Sequence, residues 1–390
     1  MTQIAVGTPI HPAGWLRLVS KTPSREPHAM TAALSSIASP AAGQARNREI
    51  EPAVTVVVPT RGQSQVLVDV LKALDTQAGI ARSAMEVVVV LDGAGADAAT
   101  RLRARAWSVR LRILEILRSG TGAARDVGWR AAHAPLILFL DDNVVPAACL
   151  VSEHLAAQES RGPCVVLGRV QQPQGRVTPW TAYDHHVMAK KCARLDRVEV
   201  PSGIHYGGNV SMPRDLLAKV GGHDHVLQHD ADVELGDRLR ARGAAFAYCP
   251  SAVGVHRGTS DYRTWRRSYF LHGRWDVALR RDRGLSGGLD GLLACYYDRH
   301  PLNRLAVRVG MGRRTVDEGG LADAAATVGS LAYRLRLDGV CYAAYSCAAN
   351  ILYWSGVRDA MRGSAAFWKA VRSLRHHRGR PYVAATIWEP

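Results

Sequence analysis

The chain has 390 residues, with 50 Lys and Arg against 34 Asp and Glu, a formal net charge of +16, and 47% hydrophobic residues. That length is long for one compact domain and short for three, and the apolar share is enough to bury a large core. The basic residues are spread along the chain rather than packed in one tract with interleaved aromatics, so a dedicated nucleic-acid surface is not indicated. An anionic membrane surface, phosphorylated ligands or a plain Arg-rich bias stay open as reasons for the charge. The seven Cys form no C-x-x-C pair and their number is odd, which points to reduced thiols in a cytosolic compartment rather than to a disulfide scaffold or a zinc site.

Residues 1–50 carry no basic segment followed by a long apolar run, so a secretory signal is not expected, and "TAALSSIASPAAGQ" reads as a disordered, low-complexity tail. Order is expected from Glu51. "AVTVVVPT" (53–60) is a β-branched run closed by Pro, the pattern of a buried parallel strand. "VLVDVLKAL" (66–74) has helical spacing, "MEVVVVLD" (85–92) reads as a second strand, and "ATRLRARAW" as a helix. "LRILEIL" (111–117), the helix "GAARDVGWRAAH" (122–133) and the strand "LILFLDD" follow. Strands alternating with helices predict right-handed βαβ units and a mostly parallel sheet, with ligands gathered beyond the C-terminal strand ends. After residue 150 come a short strand (164–170), a segment of uncertain structure to about 200, "GGNVSMPRDLLAKVGG", the acidic helix "DADVELGDRLRARG" and a strand at 245–256. Beyond 260 the sequence is helical, basic and Trp-rich. Its stretch 339–357 is borderline in apolarity, and its Ser, Asn and Gly favour a buried or interfacial helix over a membrane span.

"LILFLDDN" places Asp141, Asp142 and Asn143 at the end of an apolar strand. A Walker B strand would need a phosphate loop with a Gly-Lys pair, and the chain has none. Gly93-Ala94-Gly95, with Ala98 in the third Gly position and Glu115 about 20 residues on, has the outline of a dinucleotide fingerprint, which would suit an NAD-dependent dehydrogenase but leaves the acidic tripeptide idle. A third reading is a hard divalent cation, held by Asp and Asn oxygens, gripping a diphosphate. A turn or helix cap competes with it.

From here the sequence resembles the family 2 glycosyltransferases, of GT-A fold, over roughly residues 52–275. "VVVPTRG" is similar to the strand and turn that meet the nucleotide (Pro59, Thr60), and "VVVVLDGAGAD" sets Asp92 where an acid contacts the base. "GTGAARDVGWRAA" resembles a Gly-Ala-Arg-Asn segment with Asp126 in the Asn place, and "FLDDN" occupies the Asp-x-Asp position. "GGNVSMPRDLL" matches the sugar-lining segment, "DADVELGDRL" the Glu-Asp helix that carries the base, and "VGVH" a late metal-ligand His at 256. Three positions depart from the pattern: Asn143 brings no charge, Ala231 replaces the Glu of Glu-Asp, and Leu271 stands where processive synthases carry Gln in "LHGRW".

The resemblance implies an α/β protein of GT-A type (Rossmann-like), with a mostly parallel central sheet flanked by helices. It divides the chain into a catalytic domain at 51–260, with a nucleotide-binding half (51–150) and an acceptor half (151–260), and a helical extension at 261–390. It implies inverting transfer of a sugar from a nucleotide-diphosphate sugar to an unidentified hydroxyl acceptor, assisted by Mn²⁺ or Mg²⁺. Asp232 is expected as general base, with Asp230 and Glu234 beside it as substrate contacts, as alternative bases, or as acids that only favour the helix N-terminus. Asp141 is expected at the ribose or the metal, Asp142, Asn143 and His256 as metal ligands, and Arg125 near the diphosphate or the sugar, with a helix-surface ion pair as its alternative. Gly207 and Gly208 would let backbone approach a sugar, and Asn209 would bond a sugar hydroxyl. "HDHVLQHD" (223–230) is expected to be a mobile acceptor loop, and the roles of His185, His186 and His205 are open. "YRTWRRSYFLHGRW" (262–275) could cover the donor phosphates, stack on an acceptor, touch an anionic membrane peripherally, or pack as a basic amphipathic helix. A non-catalytic sugar-nucleotide or glycan-binding protein on the same fold is the alternative that Asn143 and Ala231 motivate.

Overall fold

The computed structural model describes residues 51–374, apart from 63–64, 95, 174, 176, 196–199, 201–206, 226, 228–229, 259, 286 and 311–318. The expected N-terminal tail, His205 and the basic stretch beyond 374 lie outside the described residues.

β1 (Val54–Thr60), β2 (Met85–Asp92), β3 (Arg110–Ile116) and β4 (Leu136–Leu140) are parallel neighbours in the order β3-β2-β1-β4. β1, β2 and β4 are buried along their whole length, which is why they read as continuous Val, Ile and Leu runs rather than alternating ones. On one face α1 (Gln65–Asp75) offers Leu67, Val70, Leu71 and Leu74, spaced i, i+3, i+4, i+7, to Val54, Val56 and Val58. Ala98, Ala99 and Leu102 of α2 (Ala96–Arg103) join the same core. On the other face Trp129 of α3 (Thr121–Arg130) packs with Val57, Ile137 and Phe139.

The second half of the sheet supplies the antiparallel pairs of the expected mostly parallel sheet. β5 (Val144–Pro146) and α4 (Leu150–Arg161) follow β4; β6 (Val165–Gln171) precedes α5 (Pro179–Leu195); β7 (Asn209–Pro213), α6 (Arg214–Val220), α7 (Ala231–Ala241) and β8 (Phe246–His256) complete the layer. β7 runs antiparallel to β4 and β6, β8 lies parallel to β6, and β5 pairs antiparallel with β8. The full order is β3-β2-β1-β4-β7-β6-β8-β5. β1 is followed in sequence by a strand on one side and flanked by β4 on the other, so a crevice opens beyond the C-terminal ends of β1 and β4.

The remaining described chain is helical: α8 (Tyr262–Asp282), α9 (Gly288–Asp298), α10 (Pro301–Gly310), α11 (Gly319–Arg334), α12 (Asp338–Ala360) and α13 (Ser364–Ser373). α12 is the axis of this cluster, with Tyr345, Ala348, Ala349, Tyr353, Trp354 and Val357 buried. It contains the 339–357 stretch, here an internal helix, and no helix among the described residues is long and apolar enough to cross a membrane. α8 crosses α12 at two glycines: a Cβ on Gly273 would strike the backbone of Tyr353, and one on Gly356 the backbone of Phe270. Of the roles open to 262–275, packing is the one observed for its aromatics. Trp265 and Tyr269 are buried with Tyr183 of α5 and Tyr345 of α12, and both donate to the Asp184 carboxylate, at 3.0 and 2.8 Å.

Candidate active site

A cavity of about 680 Å³ lies in that crevice. Pro59, Thr60 and Arg61 line it from the end of β1, Asp92 from β2, Asp141, Asp142 and Asn143 from β4, and Arg125 from α3. Asp230 and Asp232 close it from the start of α7. Most of the expected site residues, drawn from 59 to 232, therefore meet in one place. Gly122 at the start of α3 packs against Ala231 at the start of α7, so two helix N-termini sit side by side at the cavity wall, an arrangement that favours an anion.

Arg125 is buried, and its Nη2 donates to Asp141 Oδ1 at 2.7 Å. The backbone of Gly207 and Gly208 passes directly over this ion pair. A Cβ on Gly207 would collide with the guanidinium, and one on Gly208 would lie 2.7 Å from Asp141 Oδ2. The glycines' close approach is thus to Arg125 and Asp141. Asp232 locks the same loop: its Oδ2 accepts from Gly207 N and its Oδ1 from Val233 N, each at 3.1 Å. Arg125, Asp141, Gly207 and Asp232 form one bonded unit.

Asp230 caps α7 in a left-handed conformation, φ 54°, which is uncommon outside glycine. Burial pushes its carboxyl above the usual range, against the opposing influence of His272, whose Nδ1 lies 3.2 Å from Asp230 Oδ1. His272 reaches the cavity from α8 and was not singled out by sequence reasoning, which weighed only Leu271 beside it. The signal was present: Trp265, Tyr269, His272 and Asp276 recur at helical spacing, marking the inward face of α8. Arg61 and Thr121 were also missed.

Three expectations are corrected. Asn209 is wholly buried; its Oδ1 faces His154 Nε2 at 2.9 Å and its Nδ2 donates to Arg169 O and Ala252 O, so both amide protons are used and the side chain is closed off from a sugar hydroxyl. Glu234 forms a two-pronged ion pair with Arg238, at 2.5 and 2.7 Å, and Arg238 in turn donates to Val220 O and Gly222 O, which holds Glu234 in the helix layer. The 223–230 segment is anchored over its described part: Asp126 accepts from His223 N at 3.2 Å and lies 3.1 Å from His225 Nε2, and Leu227 is buried. Asp92 lines the cavity, yet its oxygens already accept from Ser119 N and Gly120 N, at 2.6 and 3.0 Å, tying β2 to the start of α3. Glu115, the ribose contact of the dinucleotide reading, pairs with Arg103 on the surface instead.

The side chains at the end of β4 differ in what they can offer a cation. Asp142 turns to Thr60, whose hydroxyl donates to its Oδ2 at 2.5 Å, and burial raises its pKa. Asn143 Oδ1, by contrast, is buried with no hydrogen-bond partner. A Cβ on Gly258 would meet Asn143 Nδ2 at 2.8 Å and His256 Nε2 at 2.9 Å, so these two side chains flank one point. The Asp141 carboxylate opposes the effect of burial, which lowers the His256 pKa. Among the described residues no three His, Cys, Asp or Glu side chains gather as a ready cage, so any set here must enlist the Asn143 amide. Asp92, Asp141, Asp142, Asp230 and Asp232 face only Arg61 and Arg125 as permanent cations in the cavity, and a diphosphate adds further negative charge. A divalent ion suits that balance.

A second cavity, about 950 Å³, lies between the end of β6, α5 and the α11–α12 turn, lined by Arg169, Gln171, His185, His186, Asp338 and Tyr342. The His186 ring stacks on Tyr342, with centroids 4.1 Å apart. His185 is pushed down to about 4 by burial and, secondarily, by the nearby charge of His256.

Comparison with known proteins follows the same lines. The sequence model described as "Glycosyltransferase like family 2" matches residues 52–278. Validoxylamine A glucosyltransferase of Streptomyces hygroscopicus subsp. jinggangensis is 30% identical over 243 residues, covering 52% of this chain and 55% of that protein. The chain thus spans about half the length of the curated relatives it matches. Among solved structures, TarS 1-349 of S. aureus overlaps 83% of this chain and 92% of its own, at 13% identity and a TM-score of 0.47. The mannosyltransferase PcManGT of Pyrobaculum calidifontis, solved with GDP-Man and Mn2+, overlaps 85% and 88%, at 18% identity and a TM-score of 0.48. With its family segment occupying the sheet and every wall of the first cavity, this chain belongs to the family 2 glycosyltransferases, on a mostly parallel eight-stranded α/β sheet.

Proposed function

We propose that the chain transfers a sugar from a nucleotide-diphosphate sugar to a hydroxyl acceptor with inversion, using Asp232 as general base. The observation that carries this reading is the bonded unit of Arg125, Asp141, Gly207 and Asp232 on the wall of the 680 Å³ cavity. Two backbone N–H groups fix the orientation of the Asp232 carboxylate while it faces the cavity. In the reaction, an Asp232 oxygen takes the acceptor O–H proton as the acceptor oxygen bonds to the anomeric carbon from the face opposite the diphosphate. The bond from that carbon to the diphosphate oxygen breaks, and the nucleoside diphosphate leaves with the electron pair.

Arg125 and the N-termini of α3 and α7, at the cavity wall, would stabilise the departing diphosphate. Asn143 and His256, with Asp141, would hold a divalent ion, which when bound supplies charge neutralisation for the leaving group. Asp142 is better placed to keep Thr60 and the β1 turn in register than to ligate. Asp230, held by His272, supports the start of α7 and so the position of Asp232.

The second cavity is the acceptor side in this reading. His185 lines it, and the stacked His186–Tyr342 pair offers a flat ring face of the sort sugar rings and other planar faces pack against. A thermal-shift panel of sugar nucleotides with and without Mn²⁺ tests the donor reading. A metal-dependent rise in Tm with one nucleotide sugar is expected, and a shift with NAD but none with any sugar nucleotide would overturn it. A non-catalytic binder would bind the donor but release no nucleoside diphosphate.

A further inference from the structure

Ten large hydrophobic side chains stand exposed among the described residues, and nine of them fall between Leu302 and Val340. Chance does not gather them so, and neither do isolated exposed leucines, which are ordinary on protein surfaces. On α10 the exposed residues are Leu302, Leu305 and Val309, spaced three and four apart, while Asn303 and Val307 on the opposite side are buried. On α11 they are Leu321, Val328 and Leu331, one stripe over about three turns, with Leu335 exposed just past the helix end and Ala322 and Ala326 turned inward. The end of α10 lies close to the start of α11: a Cβ on Gly310 would sit 3.2 Å from Ile351 of α12 and 3.6 Å from Leu321. Each helix is therefore apolar on both faces, and the outer face has no partner among the described residues.

The charges flanking this face distinguish between occupants. Arg308 and Arg334 are exposed beside it and make no ion pair among the described residues. Asp323, the acid on α11, is turned away and engaged by Tyr262 and Arg266. A second copy of the chain docked here about a two-fold axis would bring the same cationic rim against itself. An anionic surface would attract that rim while accepting the leucines, and long Arg side chains can bury their stems at such a boundary and keep their charge wet. The formal charge of +16 acts in the same direction.

We infer that the outer face of α10 and α11 is an interfacial docking surface for an anionic lipid bilayer, on which the protein lies without crossing it. This surface is distinct from the 262–275 segment, whose aromatics are spent inside the fold. The inference does not depend on the sugar-transfer reading, since lipid binding needs no donor.

Flotation of the full chain with phosphatidylcholine vesicles, and with vesicles of phosphatidylcholine and phosphatidylglycerol, tests it. Binding to the anionic vesicles, weakened by high salt and weak on phosphatidylcholine alone, is expected. The double variant Leu305→Glu/Leu331→Glu, both at exposed positions, should lower the vesicle partition coefficient by about tenfold or more. Arg308→Glu/Arg334→Glu should lower it on anionic vesicles only. Circular dichroism and Tm identical to the parent show that each variant is folded. Absence of binding to either vesicle type, or binding untouched by both variants, overturns the inference. So does a dimer in sedimentation velocity that the leucine variant dissociates while vesicles bind neither form.

Discussion

Asn209→Ala is the substitution that most sharply separates a structural from a sugar-binding role. Asn209 is 0% exposed and joins four elements: it sits on β7, faces His154 of α4, and donates to Arg169 O of β6 and Ala252 O of β8. Since the amide oxygen accepts, His154 Nε2 carries the proton, and its Nδ1 then accepts from the Ser211 hydroxyl at 2.9 Å. Truncation leaves an imidazole N–H and two carbonyls without partners in the interior. Each orphaned group costs about 1–3 kcal/mol, and water entering the void recovers part of that, so the loss should be about 3–5 kcal/mol. That is a large share of the roughly 5–15 kcal/mol that holds a domain folded. Urea unfolding followed by circular dichroism measures it directly. If Asn209→Ala unfolds within about 0.5 kcal/mol of the parent and instead raises the KM for donor or acceptor, the amide contacts sugar and the buried-node account fails.

Other expectations rest on separate features. Gly356→Ala forces a methyl into the backbone of Phe270 where α8 and α12 cross, and should cost about 3 kcal/mol or more by thermal or urea unfolding; a neutral result would mean the helices are not so closely seated. His154 is held down to about 4 by burial, so its contribution is complete above its ordinary value of 6.5 and is lost as pH falls toward 4. Asp184 is pushed up to about 6 by burial, so its effect has the opposite sign: stability is greatest below its ordinary value of 3.8 and is lost as pH rises through 6. Asp184→Asn keeps an acceptor for Trp265 and Tyr269 but removes the second effect, so stability should fall more steeply between pH 6.5 and 4 than in the parent, by about 3 kcal/mol in total, in urea midpoints taken across that range. An unchanged slope would refute the burial assigned to Asp184. Tyr342→Ala should raise acceptor KM about tenfold or more while leaving donor hydrolysis alone; equal damage to both would move the acceptor out of the second cavity.

What the sequence disclosed, and what it withheld, follows from how local each signal is. β1, β2 and β4 were legible because strands buried on both faces must be apolar throughout, and the acidic tripeptide was legible because it interrupts such a run. β7 was not, because its buried positions include Asn209 and Ser211, polar residues that satisfy His154 rather than follow an apolar pattern. α5 was equally hidden: Thr181, Ala182 and Tyr183 are its buried residues near the start, a pattern too weak to read without the helices it packs on. The convergence of Arg125, Asp141, Asp230 and Asp232 could be anticipated from the rule about strand ends. Which of two adjacent residues turns toward the cavity could not. Asp142 binds Thr60 and Asn143 keeps a free oxygen only because β1 lies beside β4, a neighbour 82 residues away in sequence. Glu234 was lost to the site for a similar reason, since Arg238 one turn on claims it within the helix.

The most direct test of the central claim is Asp232→Asn, measured twice, once for nucleoside-diphosphate release with the donor that gives the thermal shift and once for donor affinity by calorimetry. The amide preserves size and at least one backbone contact but cannot take a proton. Release should fall by roughly 10²–10⁴ with the donor Kd within about twofold of the parent. Turnover at the parental rate would show that another group removes the acceptor proton and that Asp232 serves only the loop at Gly207.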